Sequence, residues 1–202
     1  MNFQMFVDAP IAATIFVMTI ITSIMAFSNA ELKFRFTLNP YRVVREKDYP
    51  PLLTSALVHA DYMHLLFNGL TFYYFAFTLE AYIGHWQFLV LYIVAQLASD
   101  IPSIIKHKDD SWYNTLGASG AVSGVVLALI FLVPYGEVWL LVSMPSWLFG
   151  LLFLGGSFYA GWKGIGRINH DAHLWGALAG VVILVLLKPA AASNFLAWIQ
   201  SF

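Results

Sequence analysis

The sequence predicts an all-α integral membrane protein built as a six-helix bundle, and three observations carry that prediction. Hydrophobic residues make up 60% of the 202 residues and charged ones only 10%, with a mean hydropathy of +0.73, a balance foreign to soluble domains. The apolar residues gather into runs long enough to be transmembrane helices. Glycines recur four residues apart at Gly120/Gly124 and at Gly176/Gly180, the spacing that lets membrane helices pack backbone to backbone. The same composition excludes other classes. A formal net charge of -1 provides no basic stripe, so nucleic acid is not an expected partner. The absence of cysteine removes disulfides, thiolate metal sites and a cysteine nucleophile.

The whole chain, residues 1–202, reads as a single membrane domain with no repeat or low-complexity segment. Met1 to Asp8 holds no Lys or Arg, and the apolar run after it is longer than the core of a signal peptide. That run is therefore expected as a retained first span, about residues 10–28. The connection 30–62 mixes Lys33, Arg35, Arg42, Arg45 and Lys47 with Phe34, Phe36, Tyr41 and Tyr49. Aromatic rings and basic heads settle together at a membrane interface, where this segment is expected to lie. Further spans are expected at about 62–84, 86–105, 116–133, 146–162 and 172–187. Asp100, followed by Pro102, is expected to end the third span near the interface, and Pro134 to close the fourth. Lys188-Pro189 closes the sixth, and the weakly amphipathic tail 190–202 is expected on the surface. The sixth span would be about 24 Å long, against roughly 30 Å of hydrocarbon. A helix that short starts below the bilayer surface and leaves room for water above it.

Polar side chains inside a membrane are expensive and are functional candidates by default. They fall here at the starts of three spans: His59, His64 and Asn68 at the second, Ser119 at the fourth, His170 and His173 at the sixth. Even-numbered spans of a sequential bundle begin on the same side, so all three clusters lie near one face at similar depth. His64 and Asn68 are four apart and share a helix face, as do His173, Gly176 and Gly180. Spans four and six each present a small-residue face, and their close approach would bring His173 within reach of Ser119. A serine hydroxyl needs an adjacent base to become a nucleophile, and histidine has a suitable pKa. Acyl transfer also needs donors aimed at the developing oxyanion, which His64 and Asn68 can supply.

Each residue also has a structural reading. Ser119 among its glycines fits helix packing, and His64 or Asn68 alone fits an interhelical hydrogen bond. His59 and His170 lie near the connections and read as interfacial or orienting residues, and Glu80 as a structural partner or a snorkelling charge. His170 and His173, three apart, could ligate an ion. No HExxH occurs, however, and Asp61 and Asp171 are the sole nearby carboxylates, so no metal or other cofactor is expected.

Taken together the motifs resemble the rhomboid family of intramembrane serine proteases. The match comprises Gly117-Ala118-Ser119-Gly120 as GxSG, Ala172-His173-Leu174-Trp175-Gly176 with Gly180 as AHxxGxxxG, and His64 to Asn68 as HxxxN. Order, helix assignment and length agree with a minimal six-helix rhomboid-like bundle. The resemblance implies Ser119 as nucleophile and His173 as general base. It implies an oxyanion hole made of His64, Asn68 and the backbone amide of Ser119. Substrates would be single-span or multi-span membrane proteins, entering from the lipid bilayer past spans two and five. Glu80 and Gly84 fit the family's ExxxG piece, with Ala76 where a glycine often precedes it.

Three features depart from the pattern. Ser123 stands where some members stack an aromatic on the catalytic histidine, which leaves His170 as a candidate for orienting His173. The connection 30–62 lacks the Trp-Arg pair of some bacterial members. Nine of the ten Lys and Arg lie in the odd-numbered connections and only Lys188 on the other side. The positive-inside rule then puts the active face in the cytoplasm, opposite to the family's usual orientation. The expected protein is a multi-pass membrane endopeptidase, in the cell or inner membrane if bacterial. A catalytically inactive client-binding relative, a small transporter and a metalloprotease are its rivals, and oligomeric state is not readable from the sequence.

Overall fold

The described residues are helical apart from their connections and one short antiparallel strand pair. This computed structural model describes residues 3–139, 143–163 and 169–201. A short helix α1 (Phe3–Asp8) leads into α2 (Pro10–Ser28), which starts on a proline, the residue whose missing N–H costs nothing at that position. Asn29 separates α2 from α3 (Ala30–Phe36) and caps it by accepting the Leu32 amide. The connection then passes through a π-type turn (Arg42–Glu46), a single helical turn α4 (Pro51–Thr54) and a 3-10 turn (Ser55–Leu57). Asp61 caps α5 (Tyr62–Ile83), and Gly84, at φ +96°, turns the chain into α6 (His85–His107). After a loop come α7 (Ser119–Leu132) and the antiparallel strands β1 (Glu137–Trp139) and β2 (Ser143–Pro145). Then follow α8 (Ser146–Lys163), α9 (His170–Leu187) and α10 (Ala190–Ile199).

Among the described residues α2, α5, α6, α7, α8 and α9 fall close to the residues expected as spans, with instructive differences. Asp100 does not end the third span: α6 runs on through Pro102 to His107, with Asp100 buried and accepting a 3.3 Å hydrogen bond from Gln96. Tight packing of α6 overrides the local helix-ending signal there. The fourth span starts at Ser119, because Thr115 is drawn into a two-way backbone pairing with Leu38. Asn169 accepts the Ala172 amide and starts α9 two residues early. The 135–146 connection holds the strand pair β1–β2, and residues 164–168 of the expected loop after α8 lie outside the described residues. The tail is a helix laid on α7, with Phe195 stacked on Phe131 at 4.2 Å.

The centre of the bundle is the three-helix contact of α6, α7 and α9. A Cβ on Gly124 would stand 2.6 Å from Ala95 Cβ of α6 and 2.8 Å from the Gly176 carbonyl of α9. Gly176 and Gly180 lie directly on the carbonyls of Gly120 and Gly124. Among apolar lipid tails such packing, and not apolar burial, holds helices together. Around this centre α5 packs on α7, α2 on α5 through Phe16 and Phe72, and α8 on α5 through Phe75 and Phe149 at 5.3 Å. Outward faces carry bare Phe67, Leu151 and Leu186, the surface of a helix bundle in lipid. Three described helices, α2, α6 and α9, are long and apolar enough to cross a membrane. At the end where α2 begins, the fully buried Glu80 accepts the Ile11 and Ala12 amides at 3.1 and 2.6 Å and contacts His85 at 2.7 Å. It satisfies donors that the start of α2 leaves open.

Candidate active site

The segment leading to Ser119 is held by the long connection at three points. Leu38 and Thr115 exchange backbone hydrogen bonds at 3.0 and 2.9 Å, the Gly117 amide donates to Ser55 O at 2.9 Å, and the Ala118 amide to His59 Nε2 at 3.4 Å. Gly117 has two reasons to be glycine. Its φ is +115°, and a Cβ there would stand 2.7 Å from His64 Cε1 and 2.9 Å from Nε2. Ser119 is the half-buried first residue of α7. The first helical hydrogen bond runs from Val122 N to Ala118 O, so the amides of Ser119, Gly120 and Ala121 precede it as first-turn donors. Ser123 turns its hydroxyl back onto Ser119 O at 2.7 Å.

On the neighbouring helix, His173 sits one turn into α9, one turn before the Gly176–Gly120 contact. The start of α9 is clamped from three sides. Asn169 donates to Ser103 Oγ at 2.6 Å and to the Tyr113 hydroxyl at 3.4 Å, while Asp171 pairs with Lys106. Phe153 of α8 lies nearly parallel to the His173 ring, with centroids 6.2 Å apart and planes inclined by 20°. His170, the expected orienting residue, meets His173 edge to face at 6.1 Å. The sequence pointed to His170 and missed Phe153, which no local spacing connects to His173. Ser119 and His173 therefore occupy the same end of two adjoining helices. Among the described residues no hydrogen bond joins Ser119 Oγ to His173, and such contacts are often loose before substrate binds.

His64 and Asn68 stand on α5 across from these helices. His64 Nδ1 accepts the Ala60 amide at 3.4 Å, and its Nε2 edge faces Gly117. Asn68 is buried, and its side-chain amide donates to His64 O at 3.0 Å. It lines a small cavity with Phe16, Thr19, Tyr92 and Ala118. His59 has a larger part than its sequence position suggested. Fully buried, it accepts the Ala118 amide, lies edge to face on His64 at 4.9 Å and contacts Ser23 Oγ of α2 at 2.9 Å. Burial pushes its pKa down to about 3. Among the described residues no three His, Asp or Glu side chains converge as metal ligands would.

The site thus combines a serine at a helix start, an imidazole on the adjoining helix, a second imidazole facing the loop, and first-turn amides. Those are groups for attack on a carbonyl and for holding the oxyanion that results. Comparison with known proteins supplies the lineage. Residues 46–190 match the sequence profile of the Rhomboid domain. The mitochondrial rhomboid-like protein 12 of Arabidopsis thaliana is 29% identical over 148 residues, 65% of this chain and 44% of that protein. The putative rhomboid protease YdcA of Bacillus subtilis is 33% identical over 101 residues, 50% of each chain. Rhomboid protease GluP of the same organism is 24% identical over 168 residues, 83% of this chain and 32% of its own length. The chain thus aligns with half or less of each relative's length. With the domain profile covering most of the chain and the all-helical bundle around it, this chain belongs to the rhomboid family of integral membrane proteins.

Proposed function

We propose that this protein is an intramembrane serine endopeptidase that cuts transmembrane segments of membrane-protein substrates through an acyl-enzyme. Ser119 Oγ attacks the scissile carbonyl carbon while His173 takes the hydroxyl proton. The carbonyl oxygen becomes an oxyanion, received by the Ser119 amide and by side-chain donors of His64 and Asn68. Collapse breaks the C–N bond, and His173 returns its proton to the leaving amine. Water then attacks the ester with His173 again as base, releasing the acid and restoring Ser119. Asn68 uses one of its two side-chain N–H donors on His64 O, which leaves the second for the oxyanion.

The observation that carries this reading is the backbone contact of α7 and α9 through Gly120, Gly124, Gly176 and Gly180. It puts the helix bearing the serine directly against the helix bearing the imidazole. The deciding experiment compares cleavage of a model single-span substrate in liposomes by wild type, Ser119→Ala and His173→Ala. Loss in both variants, with folding kept, supports the dyad. Cleavage that survives Ser119→Ala overturns it. The rival reading is an inactive, client-binding member of the family. It expects substrate capture without cleavage in all three proteins.

A further inference from the structure

Ser23 lies on α2, outside the segment that matches the Rhomboid domain, and it is fully buried with its hydroxyl between two partners. Leu57 O is 2.9 Å away and His59 Nδ1 also 2.9 Å. A serine hydroxyl has one proton, and a carbonyl can only accept. The proton of Ser23 therefore goes to Leu57 O, and Ser23 Oγ must accept from His59, which requires the proton of that imidazole on Nδ1. The other side of the ring gives the same answer independently. The Ala118 amide can only donate, so His59 Nε2 must present its lone pair. Both constraints select one neutral tautomer, and burial that keeps His59 uncharged at neutral pH agrees with it.

We infer that Ser23 is a positioning residue for the nucleophile segment, acting through the tautomer of His59. The relay runs from the Ala118 amide to His59, from His59 to Ser23 and from Ser23 to Leu57 O. It ties the residue before Ser119 to the first long helix. With the Gly117 amide held by Ser55 O and the Ala118 amide by His59, the Ser119 amide is the next donor along the chain. The same ring supports His64 edge to face, so one side chain sets both the loop and a proposed oxyanion donor. Removing the Ser23 oxygen leaves His59 Nδ1–H without an acceptor in a buried site. A shift of the proton to Nε2 would then set two donors, Nε2–H and the Ala118 N–H, against each other.

The consequence for activity rests on the serine-protease reading, and the test separates the two. The rate of Ser119 phosphonylation by a fluorophosphonate is measured in wild type, Ser23→Ala and Ser23→Thr, with ¹⁵N-histidine spectra of wild type and Ser23→Ala in detergent micelles. Ser23→Ala should slow the labelling step about tenfold, the scale of one unsatisfied buried group, with apparent inhibitor binding unchanged. Ser23→Thr, which keeps the hydroxyl, should restore it. The wild-type spectrum should place the His59 proton on Nδ1 down to pH 5. Wild-type labelling rates in Ser23→Ala, or a His59 proton on Nε2 in wild type, would overturn the inference. If Ser119 is not labelled in wild type, the protease reading fails alone and the tautomer still decides the relay. If Ser23→Ala does not fold, the wild-type spectrum decides it likewise.

Discussion

Replacing Gly176 by alanine adds one methyl group where α7 and α9 touch, and its effect can be worked from the geometry. The new Cβ would stand 2.7 Å from the Gly120 carbonyl carbon and 3.2 Å from its Cα, with the carbonyl oxygen nearer still. Ordinary contact for a Cβ begins at 3.4 Å. Every obstacle is backbone, so no rotamer change relieves the clash, and α9 must withdraw by about 1 Å. Overpacking of this kind costs about 1–3 kcal/mol of stability. Activity should fall further, because a base displaced by about 1 Å can lose about a hundredfold in rate. Gly155 and Gly156 of α8 supply the control: a Cβ at either meets nothing within 4 Å. Alanine there should be neutral or stabilising by up to about 1 kcal/mol. Thermal unfolding in detergent micelles and cleavage of a single-span substrate read both effects. A Gly176→Ala protein with wild-type stability and rate would refute the claim that this contact sets the serine–histidine spacing.

Other expectations follow from single contacts. Glu80→Ala strands the Ile11 and Ala12 amides in a buried site and should cost about 3 kcal/mol in denaturant unfolding, while cleavage per folded molecule stays near wild type. Phe153→Leu removes the ring lying along His173 and should lower the cleavage rate roughly two- to tenfold, for about 0.5–1.5 kcal/mol, with little change in melting temperature. Asp171→Asn breaks an ion pair whose side chains are 58% and 49% exposed, so its effect on stability should stay within about 1 kcal/mol. Because the folded pKa of His59 is near 3, the unfolded chain takes up this proton first as pH falls below about 6.5, and the folded protein does not. Its contribution to stability is complete above that pH and declines toward pH 3, by up to about 1.4 kcal/mol per pH unit. His59→Gln should flatten that part of the stability–pH curve, and an unchanged curve would show that His59 is not the group responsible.

What could be read from the sequence was whatever is written in runs and spacings. The first long helix appeared at the predicted residues, since Pro10 and Asn29 punctuate an apolar run without charge. The paired GxxxG motifs predict the α7–α9 contact from spacing alone. Asp100 was misread because its cue is local while its setting is not. Pro102 removes one helical hydrogen bond, yet α6 is packed against α7, with Ser99 on Gly120 and Ala95 on Gly124, and against α9. The start of α7 was placed too early because nothing near Thr115 announces a pairing with Leu38, far back in the chain.

The proposed reacting residues and the residues that hold them are therefore written differently in the chain. Ser119, His173, His64 and Asn68 stand at helix starts, where a polar side chain interrupts an apolar run and so attracts notice. Their supports are ordinary in type and distant in sequence: Ser55, Ser23, Phe153, and His59, which lies five residues before His64 outside any helical register. Of these, His59 is the most informative, since its two ring nitrogens make contacts that admit a single arrangement of protons. A residue that is fully buried, uncharged and fixed in tautomer is suited to holding a loop and unsuited to exchanging protons with a substrate. His59 is thereby set apart as a support from His173, the proposed base, and the position of the His59 ring proton tests that assignment more directly than any spacing could.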